Sequence, residues 1–557
     1  MSRRVRKQAS RSRKFPVIIV GTTLLLLACI SCWAVYQAAQ RDTRSESTVT
    51  LEIAFSPEKQ ELFEELVKRF NAGRPRTPSG KRITVVATAM EPEAMISAAL
   101  AGRFQALCPD SSIWFTQLDS EWLAQQQSES PLVGETTRFA VSPVVIAMWA
   151  DVARSLGYPG KAIGWADLLQ AARTNPNFKW SHPSTSSASG LLATLATFYA
   201  GANKTRGLTI EDVTAESTIA YVSALEKTVR YYGEGERAVI QQVAEKGHAY
   251  LDAFIVQEQL LIQFNLKNKE KLVAIYPVEG TMWADHPLAF LERSETTAEQ
   301  RMAYRSFRDF LLSPDIQALV LAHGYRPTDL SIALDTPNSP IKAENGVDPT
   351  QPKTTLQIPG PSVIEIVREV WQYTKRKTNV YLVADVSGSM QGEKLEQARE
   401  AFLTFLDSIK GEQERVGLIM FSSDVYEVVP LAELATNRQT LRSIIADLSA
   451  GGDTSLLDAI NLAYERLQQK QDRERINAIV VMTDGKENDS QISLRELTNR
   501  LRQGNASGLP VVVFCVAYGD DADLATLEKI SAATGGQTRR GTPETIRELY
   551  KLLSTYF

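Results

Sequence analysis

Val49, Leu51, Ile53 and Phe55 alternate with polar or small neighbours, a period of two that predicts a strand. Ser56-Pro57 then opens a helix, with Ser56 suited to its cap and Pro57 to its first position. Leu62, Phe63, Leu66, Val67 and Phe70 recur at helical spacing until Asn71-Ala-Gly73 stops the pattern. A second strand over 83–87 and a helix over 91–101 follow, and this βαβα order predicts a parallel sheet with covering helices. Residues 139–149 and 272–278 read as long strands. Between them helices and short strands alternate, including helical stretches at 191–199 and 219–231. One lobe, a crossing strand, a second lobe and a return strand make a two-lobed hinge protein, closed by helices at 298–312 and 315–323.

The pattern then breaks. Prolines at 327, 337, 340, 349, 352, 359 and 361 predict a linker or an extended surface strap rather than a buried element. A helix over 362–373 leads into a renewed alternation: strands at 380–385, 416–421, 478–483 and 511–517, helices at 393–409, 456–468 and 494–501, and a final helix from Glu544. This is a doubly wound, Rossmann-like α/β domain. The 557 residues exceed what one core organises. The expected division is a basic tail (1–14), an anchor or signal (15–39), a two-lobed domain (47–328), a strap with lead-in helix (329–374) and a last α/β domain (375–557).

Charge changes the picture mainly at the start. The formal net charge is −4, yet seven Lys and Arg precede Phe15 with no acid among them. The remainder is therefore mildly acidic, and a nucleic-acid footprint has no support. Residues 16–39 carry no charge, about the length that spans a bilayer as a helix. Basic residues before it place the N-terminus in the cytoplasm and everything beyond about Arg41 outside, at the cell membrane. Two alternatives stand beside an uncleaved anchor. Leu26-Leu27-Ala28-Cys29 resembles a lipoprotein cleavage box with lipid on Cys29, and the segment could also be a cleaved signal peptide. Cys29 and Cys32 lie inside the apolar run, Cys108 and Cys515 in different domains, and the four histidines are scattered. Neither a disulfide framework nor a histidine-based zinc site is implied.

The candidate chemistry sits where strands end. Asp385-Val-Ser387-Gly-Ser389 closes the first strand of the last domain. Thr454 lies in a Gly451-Gly452-Asp453 loop before a helix, and Asp484 in Thr483-Asp484-Gly485 ends the fourth strand. Ligands of open parallel sheets bind beyond such carboxyl ends. Two carboxylates and three hydroxyls make an all-oxygen set suited to Mg²⁺ or another divalent cation. Helix capping alone would explain Ser and Asp at one junction, but not at three.

These residues resemble the metal-ion-dependent adhesion site of von Willebrand factor type A domains, over about residues 375–557. The resemblance implies that Ser387, Ser389 and Thr454 touch the metal, that Asp385 and Asp484 hold it, often through water, and that a partner protein's carboxylate completes the shell. Phosphatase Asp-x-Asp, hydrolase Gly-x-Ser-x-Gly and phosphate-loop motifs are all missing, so no enzyme is expected.

Residues 184–190, a Ser/Thr-rich run before an apolar helix, suit an anion or polar solute. With two lobes, crossing strands and runs such as Tyr276-Pro-Val-Glu-Gly280-Thr281 and Gly324-Tyr-Arg-Pro327, residues 47–328 resemble bacterial extracellular solute-binding proteins of the type 2 periplasmic class. By position Ser56, Ser111, Ser112, Ser186, Ser187 and Glu258 face the interlobe cleft or serve as caps and core polar groups. The combined expectation is a membrane-anchored extracytoplasmic binding or adhesion protein with a solute-binding module. Its alternative is a transport receptor in which the last domain is a scaffold.

Overall fold

The computed structural model describes residues 47–554 apart from 127–129, 234 and 544. The expected anchor, with Cys29 and Cys32, lies outside the described residues. Among the described residues no helix is long and apolar enough to cross a membrane.

The first lobe is a five-stranded sheet. Strand β1 (Thr48–Phe55) pairs in parallel with β2 (Arg82–Ala89) and β3 (Ala106–Cys108). Strand β4 (Val133–Arg138) forms the far edge. Strand β5 (Ala140–Trp149) then crosses into the second lobe, where β6 (Trp180–Pro183), β7 (Tyr232–Gly233), β8 (Ala253–Gln257), β9 (Leu272–Ile275) and β10 (Trp283–Ala284) assemble around it. Strand β11 (Pro287–Leu291) returns to the first sheet, antiparallel between β3 and β4, and β12 (Arg326–Pro327) pairs with the start of β5. The crossing strand is the one the hydrophobic run at 139–149 predicts; the run at 272–278 is β9, which pairs with β5 and stays in the second lobe, and the return is made by the short β11 instead. The period-two face of β1 (Val49, Leu51, Ile53, Phe55) is buried beneath Phe63, Phe70 and Phe307 of the flanking helices.

The helix expected at Ser56 begins differently. A 3-10 turn (Pro57–Lys59) precedes the α-helix Gln60–Ala72, and the Ser56 side chain makes no capping bond. The helix expected over 219–231 ends at Glu226 (Glu216–Glu226), because the chain turns there to feed β7.

The proline-rich stretch is a strap pinned into the second lobe, not a surface linker. Ile341, Val347 and Leu356 are buried, Thr355 bridges to Thr281, and Gln357 O accepts from Tyr199 Oη at 2.7 Å. Three apolar side chains spaced among the prolines anchor it where composition alone reads as exposed. The helix Pro361–Thr374 packs on helices Ala188–Gly201, Ile210–Thr214 and Glu216–Glu226.

The last domain is a six-stranded sheet in the order β15-β14-β13-β16-β17-β18. The strands are β13 (Thr378–Asp385), β14 (Arg415–Phe421), β15 (Val425–Glu433), β16 (Ile476–Thr483), β17 (Val511–Tyr518) and β18 (Thr538–Gly541). All pairings are parallel except that of the edge strand β15. β13 and β16 are buried along their whole length, as expected of central strands covered on both faces. The C-terminal helix Ile546–Ser554 docks Tyr550 edge-on between Phe402 and Phe405 of the helix Glu393–Ser408.

Candidate metal centre and interlobe cleft

β13 and β16 are adjacent and in parallel register, so their last residues deliver Asp385 and Asp484 to the same sheet edge. The chain after β13 folds into a short turn held by Asp385 itself, whose Oδ1 accepts from Ser387 N at 2.8 Å. Its other oxygen accepts from the Thr483 hydroxyl. Ser387 Oγ and Ser389 Oγ lie 3.0 Å apart, and Ser389 Oγ donates to Asp484 Oδ1 at 2.6 Å.

The Gly451-Gly452 loop is stitched to this turn by Gly388 N to Gly452 O (3.0 Å) and Gly451 N to Val386 O (2.8 Å). Asn488 holds the next residue from the far side, its Oδ1 accepting from Thr454 N at 2.9 Å. Gly485 leaves the centre open. A methyl group there would sit 3.3 Å from Thr454 Oγ1 and 3.5 Å from Ser389 Oγ. The structure therefore brings Asp385, Ser387, Ser389, Thr454 and Asp484 together.

Burial pushes the Asp385 carboxyl above its ordinary range, against lowering by the bonds from Ser387 and Thr483. A buried, destabilised carboxylate beside converging hydroxyls is what a hard divalent cation neutralises, so the donor chemistry fits Mg²⁺. Hydroxyls supply most of the donors. Consistent with that, no group of three or more His, Cys, Asp and Glu with metal-holding geometry occurs among the described residues.

Sequence reasoning missed Lys394. Its ammonium contacts Asp484 Oδ2 from the first turn of the helix Glu393–Ser408 and is about one-third exposed. A lysine in an exposed first turn carries no pattern signal; only the strand-end position of Asp484 could have pointed to it.

The lobes place their candidates unevenly. Ser56 is buried and its hydroxyl has no hydrogen-bond partner among the described residues. Ser111 Oγ accepts from Ile113 N at 3.4 Å. Ser112 is occupied with Asp285, through N at 2.7 Å and Oγ at 2.9 Å. Ser186 Oγ meets Ser184 Oγ at 2.9 Å, and Ser187 Oγ donates to Ser184 O at 2.9 Å. Glu258 is fully buried, with both oxygens taken by the Arg326 guanidinium (2.8 and 2.9 Å) and one also by Tyr276 Oη. It ties β12 to the helix Glu258–Lys267 and presents no free oxygen to a solute.

A second group at the cleft carried no motif. Glu58, Asp110 and Glu236 are buried where helix Glu236–Lys246 of lobe two meets the turn Pro57–Lys59 of lobe one. Arg237 Nη1 donates across to Pro57 O at 3.2 Å. Lys59 lies among them, donating to Cys108 O and Pro109 O at 2.9 and 2.8 Å and pairing with Glu58 at 3.2 Å. Burial, reinforced by the Glu58 charge, raises Asp110 to about 8. Cys108 and Cys515 are buried free thiols, each pushed up to about 12 by burial.

Comparison with known proteins adds two families. Residues 51–326 match the model of the family described as bacterial extracellular solute-binding protein. Residues 379–551 match that of the von Willebrand factor type A domain. Among curated relatives, human inter-alpha-trypsin inhibitor heavy chain H4 is 32% identical over 174 residues, covering 30% of this chain and 18% of that protein. The human H3 heavy chain is 28% identical over 169 residues, covering 29% and 19%. This chain therefore spans under a fifth of either relative.

Solved structures with similar parts include the sulfate-binding protein SubI of Mycobacterium tuberculosis (19% identity, 52% of this chain, 90% of that one, TM-score 0.37). Another is a von Willebrand factor type A protein of Catenulispora acidiphila (20% identity, 32% and 43%, TM-score 0.29). The two families fit an extracellular binding or adhesion role. The chain joins an extracellular solute-binding region to a von Willebrand factor type A domain, in that order.

Proposed function

We propose that this protein is a membrane-anchored, extracytoplasmic binding protein, not an enzyme, that recognises a protein partner through a Mg²⁺-dependent adhesion site. The observation that carries the proposal is the convergence of the Ser389 and Thr454 hydroxyls around Gly485, beside Ser387 and two strand-end carboxylates. Ser387, Ser389 and Thr454 are the direct donors. Asp385 and Asp484 hold the ion through hydrogen bonds and water. When bound, the cation supplies the positive charge that a partner's carboxylate needs. The chain's own work is orientation: Thr483 and Ser387 N fix Asp385, and Asn488 fixes Thr454.

The lobes are the solute-binding module, and their closure alters how the A domain is presented, because the strap helix Pro361–Thr374 packs on lobe two and leads straight into β13. Small-angle scattering that showed freely moving, uncorrelated domains with and without solute would end that coupling. The adhesion reading is tested by pull-down from membranes with and without Mg²⁺, wild type against Asp385→Ala. A partner retained only by wild type in Mg²⁺ is expected, and identical partner sets in all arms would reduce the site to a structural one.

A further inference from the structure

A cavity of about 870 Å³ opens where both lobes, the strap helix and the A domain meet. This volume lies within the range of small-molecule sites. Its lobe-one wall carries Glu91, Glu93 and Glu121. Its lobe-two wall is the Ser184–Ser187 run with Gly233 and Gly235, where Glu91 packs so closely on Gly235 that a side chain there would meet its carboxylate. A third wall belongs to the A domain: Lys410 just beyond the end of the helix Glu393–Ser408, and Arg547 on the C-terminal helix. Among the described residues Glu93, Lys410 and Arg547 make no ion pair, whereas Asp407 on the same wall is neutralised by Arg442 at 2.5 Å. Trp371 of the strap helix lines the cavity; it is buried and its indole N–H has no hydrogen-bond partner among the described residues.

We infer that this junction is a ligand site for a zwitterionic small molecule of the amino-acid or short-peptide class, completed by the A domain. The inference rests on the reading of the lobes as a solute module and names the chemistry of what they take. The lobe-one wall supplies acids, and the A-domain side supplies cations with Lys375 beside the strap helix, so a ligand with one ammonium and one carboxylate satisfies both. A bare oxyanion would meet the carboxylates of the lobe-one wall, of which Glu93 and Glu121 already interact with the Arg368 guanidinium, and like charge at such range is unfavourable. The Trp371 N–H supplies a neutral donor for the carboxylate end. The site also gives the two modules a physical link. The helix Glu393–Ser408 that ends at the cavity begins at the metal loop, and a ligand that touches both lobes and this helix biases their relative position.

The test is calorimetric titration of the purified full chain with the twenty common amino acids and dialanine, and with inorganic sulfate and phosphate as the oxyanion arm. Glu93→Gln and Lys410→Gln are the variants, both at exposed positions where folding is not at stake. The expected result is a zwitterion that binds wild type and is weakened at least tenfold by either variant. A solute of either class that binds wild type and Lys410→Gln equally would overturn the composite site while leaving the solute module standing. No binding in any wild-type arm would overturn both.

Discussion

Arg376 is a side chain through which the second lobe and the A domain are joined, beside Lys246, whose ammonium donates to Gly536 O at 3.3 Å. Its Nη1 donates to Val229 O at 2.7 Å in the lobe, while Nη2 and Nε donate to Arg473 O (2.6 Å), Arg475 O (3.3 Å) and Glu474 O (3.2 Å) in the A domain. Its backbone N–H adds a bond to Tyr232 Oη at 2.7 Å. Arg376→Ala removes four of these five bonds. At a net value of about 1 kcal/mol each, the loss would be roughly 4 kcal/mol. Two effects reduce it. Burial already strains the guanidinium, pushing it down to about 10, so its removal relieves a desolvation cost. The carbonyls at 473–475 also lie near the surface and turn to water. The expected net loss is about 2–3 kcal/mol, concentrated at the junction. Scanning calorimetry of the full chain reads it directly. In wild type the second lobe and the A domain melt together; in Arg376→Ala the A-domain transition separates. Arg376→Lys behaves like the alanine variant, because an ammonium cannot span four carbonyls as the planar fork does. An unchanged number of transitions, with midpoints moved by less than about 1 °C, would show that the domains are joined without the Arg376 fork.

Three other changes test separate parts of the structure. Asp385→Asn removes Mg²⁺-dependent thermal stabilisation while raising the midpoint in chelator at pH values where the wild-type carboxyl is ionised: burial raises the Asp385 pKa, so its ionised form opposes folding at every pH above its folded value. An unchanged Mg²⁺ response would remove Asp385 from the site. Asp110, raised to about 8, holds a proton in the fold that the unfolded chain releases near 4, so stability of the lobes falls as pH rises between these values. Asp110→Asn flattens that slope in urea titrations at stepped pH, and an unaltered slope would contradict the assignment. Arg326→Leu strands the fully buried Glu258 without its counter-charge and costs about 3–5 kcal/mol in urea unfolding, which Glu258→Gln in the same chain partly restores. A loss below about 1 kcal/mol would refute the pairing.

The parallel strands were legible because burial on both faces writes itself as an unbroken apolar run. Tyr381-Leu-Val-Ala and Ile479-Val-Val-Met carry that signature, and each run ends on the carboxylate the site needs. β15 gave no such signal. It is an antiparallel edge strand, only half-buried along much of its length and interrupted by Pro430, which sequence reasoning treats as a reason against a strand. The lobe-cleft acids were hidden for another reason. Glu58, Asp110 and Glu236 are 52 to 178 residues apart, and only the docking of Glu236–Lys246 on Pro57–Lys59 makes them neighbours. Glu258 sits beside the cleft in chain order, yet its partner is Arg326, 68 residues on, and spacing along the chain says nothing of that pairing.

Lys394 decides how much charge the A-domain centre presents. Its ammonium offsets Asp484, leaving Asp385 as the one carboxylate of the set without a cationic neighbour among the described residues. On the proposed reading, a divalent cation there is under-neutralised by the chain and keeps surplus positive charge toward the open edge. That surplus is what draws a partner carboxylate. Lys394→Met removes the offset. Relief of repulsion between the ammonium and the ion, about 1–2 kcal/mol at solvent-like screening, tightens Mg²⁺ binding roughly tenfold. The same change leaves the centre closer to neutral, so carboxylate-bearing partners bind more weakly even as the metal binds better. Calorimetric titration with Mg²⁺ and a partner pull-down at saturating Mg²⁺ separate the two effects. Opposite signs in the two assays are expected. If metal and partner affinities fell together, Lys394 would be a scaffold for Asp484 instead of a regulator of the site's charge.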